Sequence, residues 1–156
     1  MPLIGQGRNL FDDTPVNGET EKGISSNWAF DHAANKDAHH LVFVDRGDPL
    51  DYDFHVTDFT TDNAIRDLSL ATIIPTGAIA ALLQLRAQAD AAYKLLKLLK
   101  KGDTAGINAS VLITQVAYVL VDSPMIITLD SNRNISYQFE AATWAVINLT
   151  VRGWFI

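Results

Sequence analysis

The stretch NISYQFEAATWAVINLTVR, residues 134–152, alternates apolar and polar side chains on both sides of a short connection. In its first half Ile135, Tyr137 and Phe139 alternate with polar residues, and VINLTVR (146–152) repeats the pattern. Successive side chains of a β-strand point to opposite faces, so alternation buries one set and leaves the other toward water. The stretch therefore predicts two antiparallel strands with one face in a core.

Short segments of the same character recur from about residue 41 and are separated by turn residues. The other segments expected to be strands are LVFV (41–44), YDFHVTDF (52–59), RDLSLATI (66–73), SVLITQVAYVLV (110–121) and MIITLD (125–130). The expected turns are DRGDPLD (45–51), KKGDTAG (100–106), DSP (122–124) and DSNRN (130–134). Eight or nine short strands at this spacing predict an all-β sandwich or barrel.

One segment, ALLQLRAQADAAYKLLKLLKKG (81–102), supports two interpretations. Its Ala, Leu and Lys content favours an α-helix with Gly102 as the C-cap. With a period of two, Leu83, Leu85 and Ala87 instead oppose polar neighbours, and ADAA (89–92) makes a turn between two strands. Local propensity favours the helix, whereas the strands predicted on either side favour a strand pair.

Composition and charge narrow the class of protein. The 156 residues are 48% hydrophobic and 19% charged, which is ordinary for one globular domain, and cysteine is absent. Residues 1–63 carry 12 acidic and 4 basic side chains, so nucleic acid is not expected as a partner, because phosphate contacts need clustered Lys and Arg. No apolar run is long enough to span a membrane. The only basic cluster consists of Lys94, Lys97, Lys100 and Lys101.

Several segments have distinctive amino-acid sequences. The segment PVNGETEKGISSNWAFDHAANKDAHH (15–40) contains ISSNWAFDH and ends on DAHH. Later segments of this kind are DLSLATIIPTGAIAALL (67–83), KKGDTAGINASVLITQV (100–116), TLDSNRNISYQF (128–139) and VRGWFI (151–156). Together they resemble bacteriophage and prophage virion appendage proteins, notably tail-fibre proteins, in which such an N-terminal segment precedes a β-sandwich module.

This resemblance implies an all-β fold, a jelly-roll-like antiparallel β-sandwich over residues 41–156. An extended arm and a short α-helix within residues 1–40 are expected to precede it. The helix is also indicated by Ser25 or Ser26 as an N-cap before good helix formers. The resemblance further implies strands across residues 81–101 and a structural or adhesive role in the virion.

Three histidines, His32, His39 and His40, lie within ten residues, in DHAANKDAHH (31–40). In one helix His32 and His39 would be about 10.5 Å apart along the axis, whereas the ligand atoms of one zinc ion lie within about 3.5 Å of one another. A single chain is therefore not expected to bind metal here. At the axis of a homotrimer, three copies of His32 or of His39 could bind one ion. Otherwise these histidines satisfy helix-end carbonyls or line a subunit contact.

An oxygen-rich loop, DRGDPLDYD (45–53), is a weaker candidate site. Its carboxylates, Asp45, Asp48, Asp51 and Asp53, are ligands that calcium could use, although the EF-hand spacing is absent. The loop also contains the integrin-binding tripeptide Arg-Gly-Asp at 46–48, which we attribute to chance in an acidic turn.

Catalytic motifs are missing from the sequence. There is no nucleophile elbow, phosphate-binding loop, H-E-x-x-H motif or plausible carboxylate pair, so a non-enzymatic protein is predicted. No cofactor is expected apart from the axial metal ion. Trp154 is the candidate ligand-binding residue, because its ring could stack on a sugar, although tryptophans in terminal strands more often belong to a core or an interface.

The predicted function is that of a structural bacteriophage virion protein, a tail-fibre component or a capsid or tail decoration, acting in assembly or host attachment. It is expected to form a homotrimer and to contact other virion proteins through Phe11, Trp28 and Phe30. It would be located in the virion after assembly in the bacterial cytoplasm. The alternative is a carbohydrate- or receptor-binding module of a phage appendage, with a host surface glycan as partner.

Overall fold

The structure is a computed structural model that describes residues 41–156. These residues form eight β-strands and one turn of 3₁₀ helix at Val56–Asp58. The strands are β1 (Phe43–Asp45), β2 (Arg66–Ser69), β3 (Ala80–Ala89), β4 (Leu95–Lys100), β5 (Ser110–Ile113), β6 (Val121–Thr128), β7 (Asn134–Phe139) and β8 (Trp144–Phe155). The predicted arm and short α-helix fall within residues 1–40 and lie outside the described residues.

These eight strands form two antiparallel sheets. The first sheet has the order β1-β8-β3-β6, and the second has the order β2-β7-β4-β5. The pairing is nested, because β1 pairs with β8, β2 with β7, β3 with β6 and β4 with β5. A long hairpin wrapped into two sheets has this connectivity, which is that of a jelly roll. The predicted jelly-roll-like antiparallel β-sandwich is therefore confirmed for residues 41–156.

The core consists of the alternating apolar residues of the two inner faces. Ile147, Leu149 and Val151 of β8 are fully buried, as are Ile135 and Phe139 of β7. Each large apolar side chain removed from water in this way contributes about 1.5–3 kcal/mol. The burial of the predicted apolar set is thus confirmed in both strands, whereas Ser136, which was expected to face water, is also buried, with its hydroxyl donating to the Asp67 carboxylate at 3.0 Å.

Residues 81–102 form strands and not a helix. β3 buries Leu83 and Leu85, and β4 buries Leu96 and Leu98. The helix favoured by local propensity is wrong, because helix propensities differ by less than about 1 kcal/mol per residue, which is less than the contribution of one buried leucine. The strand pair is also corrected, since β3 and β4 belong to opposite sheets and the connection between them crosses from one sheet to the other.

The segment YDFHVTDF (52–59) does not form the predicted strand. It makes one isolated bridge, between Phe54 and Leu149, and then enters the 3₁₀ turn, where the Asp58 carboxylate accepts the His55 N–H at 2.7 Å. Its alternation still places Phe54 and Val56 against the core. The segment is therefore apolar on one side, and among residues 41–156 the bridge to Leu149 is its one strand-like pairing.

Two boundaries near β6 also differ from the expectation. In SVLITQVAYVLV only Ser110–Ile113 is the strand β5, and residues 114–120 cross from the second sheet to the first. DSP (122–124) is not a turn but part of β6. Pro124 is compatible with a strand here because β6 is an edge strand, on which an outward-facing residue needs no N–H donor.

Candidate functional site

Residues 47–52 form an insertion loop that leaves the edge of the first sheet and returns to it. Before the loop, the Arg46 N–H donates to the Arg152 carbonyl at 3.1 Å. After the loop, the Asp53 N–H donates to the Leu149 carbonyl at 3.0 Å. The chain therefore pairs with β8 on both sides of the insertion loop, while the loop itself projects from the sheet.

Two side chains fill the gap in the sheet beneath the insertion loop. The Asp53 carboxylate accepts the Val151 N–H at 2.7 Å, and the Arg46 guanidinium donates to the Val151 carbonyl at 3.2 Å and to the Asp53 carboxylate. The Asp53 side chain is 7% exposed and that of Arg46 24%. The pair thus satisfies backbone groups that would otherwise lack a strand partner, and it fastens both ends of the loop to β8.

The insertion loop and the outer face of the first sheet border a cleft of about 610 Å³. This volume lies within the range of roughly 300–1,000 Å³ that is typical of small-molecule sites. The lining combines carboxylates, an amide, a hydroxyl and a guanidinium with an aromatic ring and aliphatic side chains. The lining residues are Asp45, Gly47, Asp48, Pro49, Leu50, Asp51, Tyr52, Gln84, Thr150, Val151 and Arg152.

A series of polar contacts links the lining residues Tyr52, Gln84 and Arg152 to one another and to Arg86 and Asp122, which lie outside the lining. The Gln84 amide donates to the Asp122 carboxylate and accepts from Arg152 Nη1 at 3.3 Å. Arg86 donates to the Tyr52 hydroxyl, and its Nε lies 3.1 Å from Asp122 Oδ2, a charge contact without hydrogen-bond alignment. Side chains from β3, β6, β8 and the insertion loop therefore hold one another in place, which lowers the entropic cost of binding a ligand.

The calcium loop predicted over residues 45–53 is not formed. Asp53 turns inward to Arg46, while Asp45 and Asp51 each accept a nearby backbone N–H, at 3.0 Å and 2.7 Å. Across residues 41–156, no three Asp, Glu or His side chains converge so that they could hold a metal ion. Arg46 is also engaged by Asp53, so the Arg-Gly-Asp tripeptide is not displayed with a free arginine.

A second surface, which we call the crossover surface, is apolar and lies where the chain crosses between the sheets. Most of its side chains follow one another along β5 and the connection after it, and the Tyr93 N–H bonds to the Thr114 carbonyl in that connection. Their exposed fractions range from 38% to 75%. A single exposed apolar residue is common, but a group at one end of a domain is unusual in a monomer. The crossover surface consists of Tyr93, Val111, Ile113, Val116, Tyr118, Val119 and Leu120.

Two tyrosines of the crossover surface have a left-handed backbone conformation. Tyr93 and Tyr118 each have φ of 61°, which costs a non-glycine residue roughly 1–2 kcal/mol. The Tyr93 N–H donates to the carbonyl of buried Thr114 at 2.5 Å, and the Tyr118 N–H donates to the Ala89 carbonyl at 2.8 Å. These bonds tie the two crossings together and hold the strained conformations, which are common at functional sites.

The edge strands beside the crossover surface differ in how open they are to pairing. β5 borders the second sheet and β6 borders the first. β6 carries Asp122 and Pro124, which discourage pairing with a further strand. β5 has the sequence SVLI, with neither a charge nor a proline. Within residues 41–156 no strand pairs with its outer backbone edge, and this edge, together with the outward side chains of Val111 and Ile113, favours contact with another chain.

Two of the four lysines of the basic cluster near β4 form ion pairs. Lys94 Nζ lies 3.1 Å from Glu140, and Lys101 Nζ lies 3.0 Å from Asp67. The hydrogen bond with Lys101 lowers the pKa of the Asp67 carboxyl, and the same bond raises the pKa of Lys101. The expectation of no nucleic-acid partner stays a prediction.

Trp154 turns toward the core. A β-bulge at Arg152 shifts the register between β8 and β3, and the extra residue reverses the alternation of side chains. Trp154 therefore pairs with fully buried Ala81 and packs, half-buried, against the core. Its role as a sugar platform stays a prediction, and the packing supports the alternative role in the core. Trp144 is buried as well, with its indole N–H donating to the Glu140 carbonyl at 3.0 Å.

The other predicted site residues, Phe11, Trp28, Phe30, His32 and His39, lie outside the described residues. Reasoning from the sequence missed both the crossover surface and the cleft. The left-handed tyrosines have no local sequence signature, because the hydrogen bonds that hold them come from distant segments. For the cleft, the density of Asp, Gly and Pro in residues 45–51 was the available signal, and it indicated a loop without indicating what the loop would face.

No protein-family model matches the chain, and no curated protein matches it. Among the helical residues of the 41–156 segment, none belong to a helix long and apolar enough to cross a membrane.

Proposed function

We propose that this chain is a non-enzymatic structural protein of a bacteriophage virion, a tail-fibre component or a head or tail decoration, that acts by assembling with copies of itself. The observation that carries the proposal is the crossover surface, an exposed apolar surface beside the open edge of β5. The resemblance of residues 15–40 and of the later segments to virion appendage proteins supports the same role.

An exposed apolar surface favours association, because removing apolar area from water contributes roughly 25 cal/mol per Å². Aromatic side chains carry much of the binding energy at protein interfaces, and Tyr93 and Tyr118 are 75% and 68% exposed. Their backbone is already fixed by hydrogen bonds, that of Tyr93 to Thr114 and that of Tyr118 to Ala89 at the end of β3, so less conformational entropy is lost when a partner covers them.

A second copy of the chain fits this surface because β5 offers a backbone edge that any extended strand can pair with. Two arrangements follow from symmetry. Pairing of β5 with β5 of a second copy makes a two-fold dimer, whereas packing of the crossover surface onto a different face of the next copy closes a ring. We expect the ring with three copies, which is the homotrimer that the resemblance implies.

The test of assembly is a pair of charges on the outer side of β5. In the full chain, Val111→Lys combined with Ile113→Lys should convert the oligomer to a monomer in multi-angle light scattering, with an unchanged circular dichroism spectrum. Leu50→Lys is the matched control, since Leu50 is a fully exposed aliphatic residue in the insertion loop. A wild-type chain that is monomeric at about 100 µM, a concentration that detects weak association, would contradict the proposal.

Residues 1–40 are proposed to mediate assembly, with Phe11, Trp28 and Phe30 as anchors for partner surfaces. Deleting residues 1–39 should leave a soluble sandwich with weaker oligomerisation. His32→Ala and His39→Ala should have little effect on the folded monomer. If a chelator dissociates the oligomer and either substitution reproduces that effect, the metal at the trimer axis is supported. If the truncated body unfolds, the arm belongs to the core and the docking role is wrong.

The virion role is tested by the genomic neighbours of the coding sequence, because genes of virion proteins cluster. Neighbouring genes for head or tail proteins are the expected result, and mass spectrometry of purified particles should then detect the chain. Neighbouring genes without any virion component, together with absence from particles, would contradict the role.

A second function, a carbohydrate- or receptor-binding module of a phage appendage, is favoured by the cleft with its hydrogen-bonded polar lining. A glycan array tests this role with the full chain. Trp154→Ala should abolish binding if the Trp154 ring is the sugar platform.

A further inference from the structure

We infer that the cleft between the insertion loop and the first sheet binds a neutral saccharide, an inference that rests on the receptor-binding role proposed as the second function. It assigns the binding to a site that does not involve Trp154. Three properties of the cleft support it: the chemistry of its lining, the orientation of Tyr52, and the balance of its charges.

The lining offers both hydrogen-bond acceptors and hydrogen-bond donors to a sugar hydroxyl group. Asp48 and Asp51 present carboxylate oxygens that accept hydrogen bonds, and hydrogen bonds to charged acceptors are about twice as strong as neutral ones. Thr150 and Arg152, both in β8, present donors. Because each hydroxyl of a sugar both donates and accepts, a ligand rich in hydroxyls uses this mixture better than a purely apolar ligand or a purely charged one.

Tyr52 provides an aromatic ring in a fixed position at the cleft. Its hydroxyl accepts a hydrogen bond from Arg86, and its ring meets that of His55 edge-on, with centroids 5.9 Å apart at 88°. The hydroxyl proton of Tyr52 remains available to donate. The ring and the aliphatic side chain of Leu50, which is fully exposed at the tip of the loop, can contact the apolar C–H face of a sugar.

The charges of the lining disfavour an anionic ligand. Asp45, Asp48 and Asp51 face the cleft with one guanidinium, that of Arg152, among the lining residues. Like charges on ligand and site repel each other, so acidic sugars are disfavoured. A neutral hexose or an oligosaccharide built from neutral sugars is therefore the expected class of ligand.

The experiment uses the full chain on an array of neutral and acidic oligosaccharides from microbial and mammalian sources, followed by calorimetric titration of the sugars that bind. Neutral sugars should bind, and the source of the best ligand separates a bacterial surface polysaccharide from other glycans. Asp48→Asn and Thr150→Val should each weaken binding about tenfold or more. Asp103→Asn and Thr104→Val make the same chemical changes in the β4–β5 connection, outside the cleft lining, and should leave binding unchanged.

The outcomes distinguish saccharide binding in the cleft from the receptor-binding role as a whole. Binding of acidic sugars alone, or binding that is equal in the cleft variants and their controls, overturns the cleft inference. If Trp154→Ala alone abolishes binding while the chain stays folded, the receptor-binding role stands and the cleft is wrong. If no glycan binds at millimolar concentration, both are overturned, and the assembly role is judged separately by light scattering.

Discussion

The Asp53 carboxylate accepts the backbone N–H of Val151 at 2.7 Å, across 98 positions of sequence. A side chain thereby occupies the place that a neighbouring strand would take on this edge of β8. Because Asp53 also binds Arg46, which lies at the other end of the insertion loop, one carboxylate closes the loop and completes the sheet. The cleft beside the loop therefore depends on a partly buried ion pair.

Replacing Asp53 should be costly to stability. Asp53→Ala leaves the Val151 N–H and the Arg46 guanidinium without their partner, and we expect the free energy of unfolding in urea to fall by about 2–4 kcal/mol. Asp53→Asn, which can still accept from Val151, should cost about half as much. Asp48→Ala, an exposed aspartate of the same loop, is the control and should change stability by less than about 0.5 kcal/mol. Equal losses for Asp53→Ala and Asp48→Ala would mean that the ion pair contributes nothing.

The two faces of β8 should respond differently to a charge. Leu149→Asp should unfold the domain, because Leu149 is fully buried and the new carboxylate would have no partner there. Thr150→Asp, one position further on the outer face, should cost no more than about 0.5–1 kcal/mol. Thermal denaturation followed by circular dichroism compares the stability of the two variants. Similar damage from both substitutions would place the outer face of β8 in a buried environment.

The strained tyrosines should be replaceable without loss of stability. Tyr118→Gly removes a side chain from a residue at φ of 61°, a conformation that glycine adopts readily, so the free energy of unfolding should stay equal or rise by up to about 1–2 kcal/mol. Val119→Gly, in the same crossing but without a positive φ, should lower it by about 0.5–1 kcal/mol. Oligomerisation should weaken in Tyr118→Gly. A clear loss of stability in Tyr118→Gly would show that its side chain supports the fold.

Acid should destabilise the sandwich through three aspartates of known environment. The hydrogen bond from Arg66 lowers the pKa of Asp62 below its ordinary 3.8, that from Lys101 lowers the pKa of Asp67, and that from the Asn134 N–H lowers the pKa of Asp130. A carboxyl with a depressed folded-state pKa stabilises the fold above its unfolded pKa, and this stability is lost as pH falls through the folded value.

The measurement is the urea midpoint as a function of pH. These three groups predict little change above about pH 5 and a decline that begins near pH 4 and continues below it. Asp130→Asn should make the acid decline shallower, since one of the three titrating groups is removed. A midpoint that rises on acidification would contradict the sign of all three pKa shifts.

The amino-acid sequence by itself determined the strands with strict alternation. Over residues 134–139 and 147–152 each apolar residue has a polar neighbour, so one register alone buries Ile135, Leu149 and Val151, and a slip of one residue would expose all of them. The turn residues of DSNRN likewise predicted the connection between β6 and β7, where the Asp130 carboxylate accepts the N–H groups of Asn132 and Asn134. Local sequence contains the information in these cases because side-chain period and turn chemistry are local properties.

Tertiary structure decided the features that join distant parts of the chain. Residues 81–102 have the composition of a helix, yet they form β3 and β4, because the inner faces of both sheets bury their leucines. Trp154 lies against the core because the bulge at Arg152 reverses the alternation that the sequence shows. The cleft and the left-handed Tyr93 depend on hydrogen bonds made by Asp53 and Thr114 to remote backbone groups. Such partners are set by the folded chain, so no local pattern can specify them.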